Sequence, residues 1–179
     1  MGGMADMVDF SPIAFFCSQS CPGDVILKAQ DWANARSPES SLVIGGFHTP
    51  VERDVLRILL RGAAPVAIVL ARAFRGWRTP APLGLAIRDA VAAGRARILE
   101  PFPAERRTSS ATAESRNRHV LTLADTILIA HASPGGKTEA LARDALSSGL
   151  TLQTFPSTHN ANLLEIGAQV FSGNIGSCH

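Results

Sequence analysis

Short apolar runs alternate along this chain with segments whose apolar residues recur every three or four positions. The runs are Ile13–Cys17, Leu42–Gly45, Val66–Leu70, Ala96–Leu99, Thr126–Ala130 and Thr151–Phe155. Val66-Ala67-Ile68-Val69-Leu70 and Ile127-Leu128-Ile129-Ala130 are apolar at every position, the pattern of strands buried on both faces of a parallel sheet. Helical spacing occupies about 24–35, 50–61, 83–93, 109–124, 137–148 and 160–168. Gly62, Gly94 and Gly149 follow three of these segments, where a left-handed residue is expected to close the helix. The alternation predicts an α/β fold of the Rossmann-like, doubly wound kind. Its mostly parallel sheet has about six strands, with helices on both faces and right-handed crossovers. A length of 179 residues fits a single domain, 1–179, with its core at about 13–156, a short N-terminal tail and a C-terminal helix and tail.

Composition refines this picture in three ways. At 46% hydrophobic and 18% charged the chain is globular rather than disordered, and with no tyrosine its core is aliphatic. The odd count of cysteines, Cys17, Cys21 and Cys178, and a start without a positive n-region favour reduced thiols and a cytoplasmic location. The apolar run Ile13–Cys17 is too short for a signal core or a membrane span.

Net charge is only +2, but residues 53–118 hold 13 of the 17 basic side chains and 5 of the 15 acids. A basic middle between mildly acidic ends points to an anionic partner, with an ordinary solvated surface as the alternative. Two long loops carry part of this charge: Ala71–Pro82, with three arginines and Trp77, and Pro101–Ser110, with Arg106 and Arg107.

In an open α/β sheet the ligand crevice lies beyond the carboxyl ends of the strands, so the residues after each strand are the candidates. After the fifth run stands His131-Ala132-Ser133-Pro134-Gly135-Gly136-Lys137-Thr138-Glu139. Gly135 and Gly136 let the backbone approach a ligand, and the helix they open offers N–H groups and a positive dipole end to a phosphate. Ser133, Lys137 and Thr138 add a charge and hydroxyls. The spacing is not a Walker A loop, because His131 occupies a position that requires glycine.

After the second run comes Gly45-Gly46-Phe47-His48-Thr49-Pro50, with Thr49 as N-cap and Pro50 at N1. Cys17 and Ser18 follow the first run at the same edge. Cys17 and Cys21 have three residues between them, which suits neither a redox CxxC nor a zinc pair, and the five histidines show no metal-ligand spacing. No metal and no cofactor are expected. On the fourth helix, spacing puts Asn117, Leu121 and Ala124 on the face that packs against the sheet, so Asn117 is read as a buried amide holding a loop or ligand. Arg116 and Arg118 flank it.

These residues carry a resemblance. Ser115-Arg116-Asn117-Arg118, an apolar strand, and then the Ser133–Ala142 stretch resemble the core of the DNA-processing protein A (Smf) family of recombination mediators. That core has an Arg-Asn-Arg helix and a Ser-Gly-Ser loop, and its Gly-Gly turn is similar to Gly45-Gly46. Where the family has Ser-Gly-Gly-Ala-x-Gly-Ile-Asp, this chain has Gly45-Gly46-Phe47-His48-Thr49-Pro50-Val51-Glu52. More distantly the chain resembles the lysine-decarboxylase-like phosphoribohydrolases. The first resemblance implies single-stranded DNA binding, a homodimer and handover to a recombinase, without catalysis. The second implies a nucleotide hydrolase in which Glu139 assists water and Arg116 holds phosphate. A nucleotide-sensing module is the third reading that the residues leave open. The ligand-binding set common to these readings is Cys17, Ser18, Gly45, Gly46, Phe47, His48, Arg116, Asn117, Ser133, Gly135, Gly136, Lys137 and Thr138, for a nucleotide or single-stranded DNA.

Overall fold

The computed structural model describes residues 11–173. Strands β1 (Ile13–Phe16), β2 (Val43–Gly45), β3 (Val66–Val69), β4 (Ala96–Leu99), β5 (Thr126–Ile129), β6 (Thr151–Thr154) and β7 (Gln169–Val170) form one sheet. Between them lie helices α1 (Gly23–Asn34), α2 (Pro50–Arg61), α3 (Gly84–Ala92), α4 (Ser110–Leu123), α5 (Lys137–Ser147) and α6 (Ala161–Ile166). The strand order is β4-β3-β2-β1-β5-β6-β7 and every pairing is parallel. The sheet therefore has seven strands rather than about six. The added strand, β7, has two exposed residues and pairs with β6 at the edge.

Alternate residues of the central strands face opposite layers. Phe15, Val43, Val66, Ile68 and Leu128 pack with α1, α2 and α3, where Phe15 stacks on Trp32 at 5.3 Å. Ala14, Phe16, Ile44, Ala67 and Ile129 pack with α4, α5 and α6. Fully burying a side chain such as Phe15 or Ile129 contributes about 1.5–3 kcal/mol, so the two apolar layers hold the sheet without any staple.

The ends of the helices follow local chemistry. Gly94 and Gly149 adopt left-handed conformations, φ 75° and 77°, as C′ residues do. Gly62 does not: it is extended, φ −78° and ψ −165°, and its N–H simply continues the helix bond to the Ile58 carbonyl. At α4, Ser109 and Thr112 form a reciprocal capping box. Cys178 and the rest of the expected C-terminal tail lie outside the described residues, as does the N-terminal tail before Ser11.

Candidate functional site

The chain runs outward from β1 to β4 and then returns to β5 beside β1, so the connections after β1 and β5 diverge and a crevice opens between them. Ser18 pins this junction. Its N–H donates to the His131 carbonyl (2.9 Å) and its Oγ accepts from the Ser133 N–H (2.9 Å). His131 is itself buried and fixed by Asn160, whose Oδ1 lies 2.9 Å from Nδ1 and whose amide donates to the carbonyls of Ala130 and Phe155.

On the other side of β1, Glu52 does the joining. Its buried carboxylate accepts from the N–H of Cys17 through Oε2 and from the N–H of His48 through Oε1, both at 3.0 Å. Glu52 is the third residue of α2, and Thr49 is the N-cap, but the Thr49 hydroxyl makes no cap bond. The glutamate reaches back one residue beyond the usual capping-box donor, the N-cap N–H, and ties the Gly-Gly turn to the end of β1. Within that turn Phe47 is buried and left-handed, φ 50°, a conformation that costs a non-glycine residue about 1–2 kcal/mol.

Arg116 lies over this turn. It is 5% exposed, and its Nε donates to the Asn117 Oδ1 at 3.1 Å. A Cβ on Gly46 would overlap its guanidinium. Burial pushes the Arg116 pKa down and the charge of Glu52 opposes that shift; a guanidinium stays charged regardless. The helix face turned to the sheet is therefore centred on Arg116 and Val120, with Leu121 also buried, while Asn117 is only half-buried. Asn117 orients Arg116 and lines the same cavity, as a half-buried amide rather than the buried one expected from spacing.

Arg116 is the shared wall of two cavities. The first, about 190 Å³, lies between α4 and α5 and brings together Cys17, His48, Arg116, Asn117, Lys137 and Thr138. Its lining is of mixed charge, since Glu52, Glu114 and Asp144 also face it. The second, about 340 Å³, brings Gly46, Phe47, His48 and Arg116 together with Arg53, Arg72, Trp77 and Arg78, the last three from the 71–82 loop. Ser18, Gly45, Ser133, Gly135 and Gly136 line neither cavity. Arg106 and Arg107, in the other basic loop, are exposed.

Several of these side chains are already engaged within the chain. Lys137 does not stand free at the loop: its ammonium lies 2.6 Å from the Glu114 carboxylate and 2.6 Å from the Ser110 hydroxyl, and it holds the Glu114 pKa below the usual carboxylate range. Glu139 is nearly buried and turned away from both cavities. It accepts from the Asn162 amide (2.6 Å), from Arg143 (3.3 Å) and from the Gly135 N–H, and these donors, Asn162 foremost, hold its pKa down against burial. A carboxylate so engaged caps the Gly135 turn and lines neither cavity. Cys17 and Cys21 act on one another. The sulfur of Cys21 and burial push the Cys17 thiol up, while the hydrogen bond from Cys17 lowers Cys21. Among the described residues no cluster of three metal-ligating side chains converges, and no helix is long and apolar enough to cross a membrane.

Glu52, Arg53, Arg72 and Arg78 are the site-lining residues that the strand-end rule missed. Glu52 carries a legible signal, the Thr49-x-x-Glu52 spacing of a capping box, and Arg72 and Arg78 stand in a loop whose length and charge already mark it.

An all-parallel sheet with this strand order and helices on both faces is a Rossmann-like α/β fold. No family model matches the chain, and no curated protein matches it by sequence. Solved structures do match. DNA processing protein A from Streptococcus pneumoniae superposes with a TM-score of 0.75 at 14% identity, over 94% of this chain and 60% of that one. The same protein from Helicobacter pylori, in a structure described as giving insight into its single-stranded DNA binding mode, reaches 0.76 at 16% identity, over 94% of this chain and 79% of that one. The molybdenum cofactor binding protein of Rippkaea orientalis reaches 0.62 at 11% identity, over 92% and 90%. This chain thus spans about three fifths of the pneumococcal protein. The likeness is one of fold, and it extends the resemblance read from Arg116-Asn117-Arg118 and Ser133–Ala142 to nearly the whole chain.

Proposed function

We propose that this chain binds single-stranded nucleic acid or a nucleotide at the carboxyl edge of its sheet, without catalysing its turnover. The observation that carries the reading is Arg116, a buried guanidinium at the switch point of the sheet, shared by two cavities and oriented by Asn117. Burial of this charge outweighs the opposing influence of Glu52, and a guanidinium's fork matches a phosphate. The fold agrees, being that of a protein described as binding single-stranded DNA. Arginines 53, 72, 78, 106 and 107 on the same chain segment extend the cationic surface along which a phosphate backbone would run.

Titration with short single-stranded oligonucleotides at increasing salt tests the reading. Affinity is expected to fall linearly on a double-logarithmic plot, by about 0.7 per phosphate contacted. Replacing Arg106 and Arg107 together with alanine flattens the slope. Absence of binding to both oligonucleotides and nucleotides at low salt would remove the proposal.

A further inference from the structure

The two cavities beside Arg116 are not equivalent. The first mixes arginines and Lys137 with Glu52, Glu114 and Asp144, and Lys137 is already paired with Glu114. The second is lined by Arg53, Arg72, Arg78 and Arg116 and, among the described residues, by no carboxylate. Four guanidinium groups around one concavity repel one another unless an anion lies between them. At about 340 Å³ it falls at the lower end of the range for small-molecule sites, roughly 300–1,000 Å³, which suits one nucleotide and not a length of strand.

Its remaining wall is aromatic and apolar. Trp77 is half-buried, with its backbone N–H donating to the Phe74 carbonyl (2.9 Å) and its ring 6.2 Å from that of Phe74. Ile68, Leu70 and Ala81 complete the surface. The loop that carries Trp77 is anchored at its start, where the Ala73 N–H donates to the Glu105 carbonyl (2.6 Å) and the Phe74 N–H to the Glu100 carboxylate (2.7 Å). Opposite it, the left-handed Phe47 turns the Gly46–His48 backbone towards the cavity, the kind of local strain that collects at ligand sites.

We infer that the cavity beneath the 71–82 loop takes a single nucleotide unit, its phosphate among Arg53, Arg78 and Arg116 and its planar base against Trp77. This inference rests on the proposed function and deepens it, by naming one unit and its cavity. The same chemistry is presented by a free nucleoside monophosphate and by the 5′-phosphorylated end of a single strand.

The test uses the whole chain and adenosine 5′-monophosphate, followed by calorimetry and by Trp77 fluorescence. Trp32, the other tryptophan, is buried against Phe15 and Arg36 and serves as an unresponsive background. Adenosine 5′-monophosphate is expected to bind and to quench the emission. Arg78→Ala, an exposed position, weakens binding about tenfold or more with an unchanged melting temperature. Trp77→Leu weakens nucleotide binding by about tenfold, the order of a lost base–aromatic stack, and leaves the weaker affinity for inorganic phosphate as it was. Trp77→Phe, which keeps a ring, retains most of the affinity, so a folding defect in the leucine variant does not decide the outcome. Competition by a 5′-phosphorylated oligonucleotide, but not by its unphosphorylated form, assigns the strand end as the source; binding of the mononucleotide alone assigns the free ligand.

If Arg78→Ala and Trp77→Leu bind like the parent while Lys137→Ala and Asp144→Ala change affinity, the ligand lies in the first cavity. The inference then falls and the proposed function stands. If the chain binds neither nucleotide nor oligonucleotide, both fall.

Discussion

The guanidinium of Arg116 rests on the α-carbon of Gly46, so closely that the smallest side chain at position 46 would occupy the same space. Gly46 is not left-handed, and its lack of a side chain therefore serves this approach rather than a turn. Gly46→Ala is expected to cost about 1–3 kcal/mol, the range for overpacking a buried site, and to displace the arginine. In a double-mutant cycle measured by urea unfolding, most of that cost disappears when Arg116 is also alanine. Additive losses would show that the two positions do not share a contact.

Glu52 is the counterpart of that arrangement. Its carboxylate serves two backbone donors at once and is the nearest anionic influence on Arg116. Glu52→Ala leaves the N–H groups of Cys17 and His48 without their acceptor and removes the negative charge that favours a charged Arg116. A loss of about 1–3 kcal/mol is expected, the range for a buried donor left unsatisfied. Glu52→Gln, which keeps one acceptor oxygen, falls between the two. Equal unfolding midpoints for alanine variant and parent would show that the turn is held by something else.

The Glu139 carboxyl is held below its usual range by Asn162, Arg143 and the Gly135 N–H. Because the folded-state pKa is the lower one, the carboxylate's contribution is fully present above the unfolded-state pKa. It is lost as pH falls through the folded value. The parent is therefore expected to exceed Glu139→Gln in stability near neutral pH, and the two unfolding midpoints converge in acid. A difference independent of pH would mean that the glutamine variant loses packing and not charge.

Much of the layout was legible because burial on both faces leaves a plain mark. Val66–Val69 and Thr126–Ile129 are strands where the apolar runs put them, and the helix bounds differ from the expected ones by at most two residues. β7 had no such mark, since two exposed residues at an edge bury nothing and follow no period. Gly62 misled because glycine permits a left-handed turn without requiring one. The largest displacement is on α4. Helical spacing from Leu121 and Ala124 put Asn117 on the face toward the sheet, one position from Arg116, which stands there instead. What moves the face by that residue is tertiary: Gly46 clears the space and Glu52 supplies a favourable charge, from a segment some seventy residues away that no local pattern on α4 contains.

The carboxyl edge is thus made of two mechanically different halves. Around β5 and β6, the side chains of Ser18, Asn160 and Asn162 bond to main chain at 2.9–3.0 Å, which ties these loops to the ends of the strands. The 71–82 loop is instead tethered to its neighbours chiefly at its first residues, through Ala73 and Phe74, and carries its arginines and tryptophan beyond that tether. The first half is a fixed frame and the second an exchangeable part. Under the proposed function, selectivity at this edge is therefore expected to follow the exposed residues of this loop, such as Arg75 and Arg78, whose substitution leaves the apolar layers that define the fold in place.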